Sequence, residues 1–226
     1  MSQISVFSIW HFFIKWSDTV PLIKGLISDL DGTLLDSMEA RIDAWIGAFA
    51  KYGVEIPRSQ LRPLIGLPGV DLAGRYYNNP SIIEETEENI FSKNLPQIDL
   101  FPDVFSTFNL LLKKGMKIVI VTSGRKQAVS MIKLPVSDVV TIDDVIRGKP
   151  DTEPYEKALK LMQLKPRDVL VVGDSENDMI PAKTMGSLSV LVKHGNNIIS
   201  QYADYMIDEI GELPKLIDHV NRSSPH

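Results

Sequence analysis

From Leu22 onward, short apolar runs alternate with longer stretches whose apolar residues recur at helical spacing, which predicts strands separated by helices. Leu26 to Leu30, Lys117 to Val121, Asp138 to Ile142, Val169 to Val172 and Ser189 to Val192 read as strands. Between them, Ile42, Trp45, Ile46 and Phe49 form an i, i+3, i+4, i+7 stripe that Gly53 ends, and Asp36 with Glu39 has capping-box spacing at its start. Val104 to Lys114 and Glu153 to Met162 are further helices, the latter with Tyr155, Ala158, Leu159 and Met162 on one face. A last predicted helix carries Pro181 near its start and runs to Gly186. Continuous apolar strands alternating with helices predict an α/β fold, a Rossmann-like parallel sheet with helices on both faces, whose ligands belong at the carboxyl ends of the strands.

One connection is far too long for this scheme. About 90 residues separate Asp31 from Thr122, whereas a parallel crossover needs only a dozen or so. The excess stays helical but broken: Ser59 to Leu64, a turn at Gly66 to Gly69, Val70 to Tyr77, then an acidic helix after Pro80 with Glu84, Glu85, Glu87 and Glu88, which reads as a solvated face. The chain therefore divides into an extension (residues 1–21), a core (22–36 and 101–226) and an inserted α-helical domain (37–100). In the extension, Val6, Ile9, Trp10 and Phe13 follow helical spacing and favour a packed helix over a dimer arm or a start codon placed too early. Val6 to Ile14 is too short for a membrane span and lacks the flanks of a signal peptide.

The polar residues at the strand ends change the picture. In an extended strand Asp29 and Asp31 point the same way. Two like charges held close raise one another's pKa unless a cation neutralises them; the alternative is a solvated Asp-Gly turn. Thr122 and Ser123 follow the second strand, Lys149 the third, and Asp174 with Asp178 the fourth. Each has a plainer reading: Thr122 and Ser123 as helix caps, Lys149 as a surface lysine, Ser175 and Asp178 as a capping pair. Coincidence at four strand ends is improbable, so the groups are read as one crevice. Converging carboxylates suit Mg²⁺, and a hydroxyl at a helix start with a lysine suits a phosphate; together they describe phosphoryl transfer.

The segments DLDGTLLDS, VIVTSG, RGKPDTEPY and GDSENDM, in this order, resemble the four motifs of the haloacid dehalogenase (HAD) superfamily, in its phosphoglycolate phosphatase and β-phosphoglucomutase-like branch. The likeness spans Leu22 to about Leu216, with a shortened stretch between Thr122 and Lys149. It implies Asp29 as nucleophile, Asp31 as acid and base, Thr122 with Ser123 and Gly124 as the phosphoryl cradle, and Lys149 as the neutralising cation. It also implies Mg²⁺ held by Asp29, the Asp31 carbonyl and Asp174, with Asp178 behind them, and a helical cap over the substrate. The cap turn at Gly66 to Gly69 resembles the substrate-reading loop, and Arg75 is either a contact to substrate or a solvated helix residue. The expected activity is hydrolysis of a small phosphate monoester, phosphoglycolate-like or a sugar phosphate. A phosphosugar mutase is the nearest alternative, and a phosphoaspartate signalling module a remoter one.

Composition bounds the partners. With 226 residues, 44% hydrophobic and 23% charged, the chain is of soluble globular type; its net charge of -5 gives no support for nucleic-acid binding. No cysteine is present, which excludes disulfides and thiol catalysis and fits a cytoplasmic setting. A small phosphorylated metabolite is the expected partner, with no membrane and a monomer or homodimer as the assembly.

Overall fold

Six strands, Gly25–Ser28 (β1), Lys117–Val121 (β2), Val139–Val140 (β3), Val169–Gly173 (β4), Leu188–Val192 (β5) and Tyr205–Ile207 (β6), form one sheet in the computed structural model, which describes residues 22–65, 67 and 69–223. Their order is β3-β2-β1-β4-β5-β6 and every pairing is parallel. Side-chain alternation along the strands divides the core into two layers. Leu26, Ile118, Ile120, Leu170, Val172, Val190 and Val192 share one layer with Phe108 of helix α5 (Val104–Lys113) and Ile217 of α9 (Leu213–Arg222). Ile27, Val119, Val121, Val169 and Val171 share the other with Tyr155, Ala158 and Met162 of α7 (Glu153–Met162) and Ala182 of α8 (Glu176–Met185). Burying each such apolar side chain stabilises the fold by about 1.5–3 kcal/mol relative to exposure. Strands covered on both faces have no polar alternation, hence the continuous apolar runs.

Between β1 and β2 the chain leaves the sheet to form α1 (Met38–Lys51), α2 (Arg58–Leu61), α3 (Gly69–Gly74) and α4 (Pro80–Asn94). The stripe on α1 buries Ile42, Trp45 and Phe49 against Leu61, Leu72, Ala73 and Ile83, a hydrophobic cluster separate from the two that cover the sheet. The outgoing and returning segments run side by side. Leu35 bridges Leu100 in antiparallel fashion, the Asp36 amide donates to the Asp99 carbonyl at 3.0 Å, and the Phe101 amide donates to the Leu34 carbonyl at 2.9 Å.

Several expectations are corrected. Asp36 and Glu39 form no capping box: α1 begins at Met38, and Glu39 instead pairs with Arg58 and Arg62. The strand expected over 138–142 is only Val139–Val140, because Thr141 and Asp144 make a capping box around the 3-10 turn Ile142–Asp144. The helix after β2, α6, is a single turn, Lys126–Val129. Pro181 lies inside α8 rather than near its start. Proline cannot supply the N–H that the carbonyl four residues earlier would accept; that carbonyl, on Asn177, takes the Tyr155 hydroxyl at 3.3 Å. The helix expected on Val6 to Phe13 lies outside the described residues.

Candidate active site

The register sets the site. Ser28 lies level with Ile120 of β2 and Val172 of β4, and the Asp29 amide donates to the Val172 carbonyl at 2.9 Å. Whatever follows these strands must converge where β1 and β4 meet, the point at which the strand order reverses. Asp29 follows β1, Thr122 follows β2, Asp174 follows β4, and Asp178 sits in the first turn of α8. Strand geometry ends at Ser28 rather than continuing through Asp31, yet both aspartates line the same cavity.

Lys149 crosses to these acids from the loop before α7. Its Nζ donates to Asp29 Oδ1 and, at 2.7 Å, to Asp178 Oδ1, with the lysine side chain only 6% exposed. Asp178, buried, also accepts the Tyr155 hydroxyl at 2.8 Å and the Ser175 hydroxyl at 3.2 Å. It is a fixed member of the hydrogen-bonded network as well as a first-turn acid. Ligand atoms from Asp29, Asp174 and Asp178 all lie within 4.8 Å of one another.

Burial dominates the electrostatics. It pushes Asp29 up to about 7 against the pull of Lys149, with Asp178 and Asp31 adding to the rise. Burial likewise holds Asp174 well above the usual carboxylate range, reinforced by Asp29 and Asp178. Asp31 is also raised by burial, although Arg41 opposes it, and its Oδ1 is buried with no hydrogen-bond partner among the described residues. Lys149 is lowered by burial but raised far more by Asp178 and Asp29, so it stays charged. One ammonium among three clustered carboxylates leaves negative charge uncompensated. An oxygen-only donor set with that excess fits a hard divalent cation.

Gly32 shows how closely the site is built. Its φ is +77°, and a Cβ there would stand 2.2 Å from Asp174 Oδ2. Gly32→Ala adds left-handed strain of about 1–2 kcal/mol and displaces Asp174. We expect turnover to fall by about 10²-fold with the circular dichroism spectrum unchanged; wild-type turnover would show that the Asp174 position is irrelevant.

Above the acids lies a cavity of about 420 Å³, a size suited to a small ligand. Of the residues expected in the site, Asp29, Asp31, Ser123, Lys149, Asp174 and Asp178 line it. Thr122 is buried beside it, its Oγ1 accepting the Gly124 amide at 2.9 Å, so neither of these two lines the wall. Arg75 is exposed, follows α3 and is not among the residues that line the cavity, which favours its reading as a solvated residue over that of a substrate contact. Of the Gly66 to Gly69 turn, Leu67 and Gly69 line the cavity, while Gly66 and Pro68 lie outside the described residues.

The arginine in the wall is Arg41, on α1. It lies over the Phe91 ring at 3.4 Å, pairs with Glu87 and Glu88 at 3.2 Å each, and reaches within 4.0 Å of Asp31. Glu84, Glu87 and Glu88 also line the cavity, so the solvated-face reading of the acidic helix holds only for exposed Glu85. Burial pushes Glu87 up to about 7 despite Arg41. A signal for this was present: Glu84, Glu87, Glu88 and Phe91 follow i, i+3, i+4, i+7 spacing, so the acids share a face with an aromatic that must be buried.

A six-stranded parallel sheet with acids at its switch point and a helical insertion defines an α/β protein of Rossmann-like architecture with a site at that switch point. The model of the haloacid dehalogenase-like hydrolases matches residues 26–192, and the chain belongs to that family. It is 32% identical over 216 residues to the pyrophosphatase PpaX of Bacillus thuringiensis strain Al Hakam, a match covering 89% of this chain and 99% of that protein. Its fold is similar to that of a predicted phosphoglycolate phosphatase from Haemophilus somnus 129PT, with TM-score 0.73 and 21% identity over 86% of this chain and 98% of that one. It is also similar to a phosphonoacetaldehyde hydrolase-like protein from Oleispira antarctica, with TM-score 0.76 and 18% identity over 94% and 97% of the two chains. The protein is thus an enzyme, a HAD-family phosphatase. Among the described residues, no helix is long and apolar enough to cross a membrane.

Proposed function

We propose that the protein is a Mg²⁺-dependent phosphatase that hydrolyses small phosphate monoesters through an aspartyl phosphate on Asp29. The observation that carries this reading is the convergence of Asp29, Asp174 and Asp178 around Lys149 at the carboxyl ends of β1 and β4. Asp29, Asp174 and the Asp31 carbonyl would hold the ion, with Asp178 fixed behind them by Lys149, Tyr155 and Ser175. When bound, Mg²⁺ supplies positive charge that keeps the carboxylates ionised and offsets charge on the phosphoryl oxygens.

In the first step an Asp29 carboxylate oxygen forms a bond to phosphorus as the bond to the ester oxygen breaks. Asp31, raised by burial and so able to carry a proton, gives that proton to the departing alkoxide. Asp31 then takes a proton from water as the water oxygen attacks phosphorus, releasing phosphate and restoring Asp29. Ser123 on the wall, with the Thr122 to Gly124 turn behind it, would position the phosphoryl oxygens. The helical unit α1 to α4 would act as a cap, with the paired segments at Leu35 and Leu100 as its hinge.

The test is phosphate release from 2-phosphoglycolate, pyrophosphate, sugar phosphates and an aryl phosphate, with Mg²⁺ and with chelator. Release that needs the ion is the expected result. Release unaffected by chelator would overturn the metal assignment. Conversion of glucose 1-phosphate to glucose 6-phosphate faster than phosphate appears would replace hydrolysis with mutase chemistry.

A further inference from the structure

The phosphoryl group of any substrate must lie against Asp29, so the rest of the molecule extends toward the wall built by α1 and α4. That wall carries three carboxylates, Glu84, Glu87 and Glu88. Among the described residues, only two cations line the whole cavity, Lys149 and Arg41. Both are committed. Lys149 is held between Asp29 and Asp178. Arg41 is held by Glu87 and Glu88, faces Asp31 at 4.0 Å, and is clamped flat against Phe91. Among the described residues, no side-chain cation is left for a second negative charge on the substrate.

We propose, building on the phosphatase reading above, that the leaving group is donor-rich and carries no negative charge, a polyol or amino-alcohol moiety. Monoesters with anionic leaving groups are excluded as good substrates. A carboxylate or a second phosphate reaching the α4 wall meets three carboxylates: among the described residues Glu84 has no ion-pair partner, and its own pKa is raised by burial and by Glu88. Hydroxyl or ammonium protons, by contrast, are what three glutamates accept. Trp45 and Leu72 supply an apolar flank for the carbon skeleton. Asp31, whose Oδ1 is buried without a hydrogen-bond partner among the described residues, lines the same cavity. Like charges brought together in a low-dielectric cleft discriminate strongly against the wrong partner.

The experiment measures kcat/KM, with Mg²⁺, for glycerol 3-phosphate and glucose 6-phosphate (uncharged leaving groups), O-phosphoethanolamine (cationic), 2-phosphoglycolate and pyrophosphate (anionic), and p-nitrophenyl phosphate. The expected result is a value about tenfold or more higher for the best uncharged or cationic substrate than for either anionic one. The first two classes separate polyol from amine recognition. Glu84→Gln and Glu88→Gln are then expected to move the ratio toward 2-phosphoglycolate by about threefold or more; Glu84 makes no ion pair among the described residues and Gln keeps its size, so Glu84→Gln is expected to fold, which its circular dichroism spectrum checks. An anionic substrate equal to or better than all others overturns this inference while leaving the phosphatase reading intact. An unmoved ratio in both folded variants also overturns it. No release from any ester, p-nitrophenyl phosphate included, overturns both.

Discussion

Asp29→Asn is expected to reduce phosphate release by about 10⁴-fold or more while leaving the protein folded. The substitution removes the oxygen nucleophile but keeps the shape of a residue that is 7% exposed and whose backbone amide donates to the Val172 carbonyl. Stability offers a second readout of opposite sign. Because burial raises Asp29 from 3.8 to about 7 in the fold, the unfolded chain loses that proton first as pH rises. The metal-free wild type therefore loses stability between about pH 4 and pH 7, and Asp29→Asn removes that share of the slope. In chelator at pH 8 the variant should melt at or above the wild-type temperature; adding Mg²⁺ should raise the wild type more than the variant. Near-normal turnover by the variant would remove Asp29 from the mechanism. A variant that melts well below wild type in chelator would contradict the electrostatic account.

What was legible in the sequence depended on whether a residue's role is local. Asp29, Thr122 and Asp174 each follow a strand by one residue, so strand register alone brings them to the same end of the sheet, within one residue of level. Lys149 and Asp178 were readable as charged residues near strand ends, and the structure joins them through a contact 29 residues apart in sequence. The wall facing them was misread because its composition resembles a surface. Four glutamates in five positions look solvated until α4 is known to lie across the cavity, which turns Glu84, Glu87 and Glu88 inward and leaves Glu85 in solvent. Arg41 carries no sequence signal that Arg75 lacks: both are arginines of the insertion, and only packing says which of them reaches the cavity. The edge strand β6, three residues with exposed Met206 at its centre, carries too little apolar pattern to stand out. The inserted Pro181 was misplaced because its compensation, the Tyr155 hydroxyl on the Asn177 carbonyl, comes from another helix.

Lys149→Met should be the most disruptive single substitution of stability. Among the described residues, the ammonium is the only cation bonded to Asp29 and Asp178, and both carboxylates are nearly sequestered from solvent. Removing one partner from a buried ion pair leaves the other charges uncompensated, a cost of about 3–5 kcal/mol. For a chain of this size that corresponds to a fall in melting temperature of roughly 10 °C in chelator. The double variant Lys149→Met/Asp178→Asn should regain part of the loss, since it removes an orphaned charge along with its former partner. Mg²⁺ should also recover part of the stability of the single variant, because a dication compensates the same carboxylates. It should not recover turnover, expected to stay about 10²-fold or more below wild type, because the ammonium bonded to Asp29 Oδ1 is what orients the nucleophile and offsets phosphoryl charge on that side. If the single variant melts like wild type without metal, the lysine is a peripheral lysine after all. If Mg²⁺ restores both stability and rate, neutralisation alone suffices and Lys149 has no positioning role.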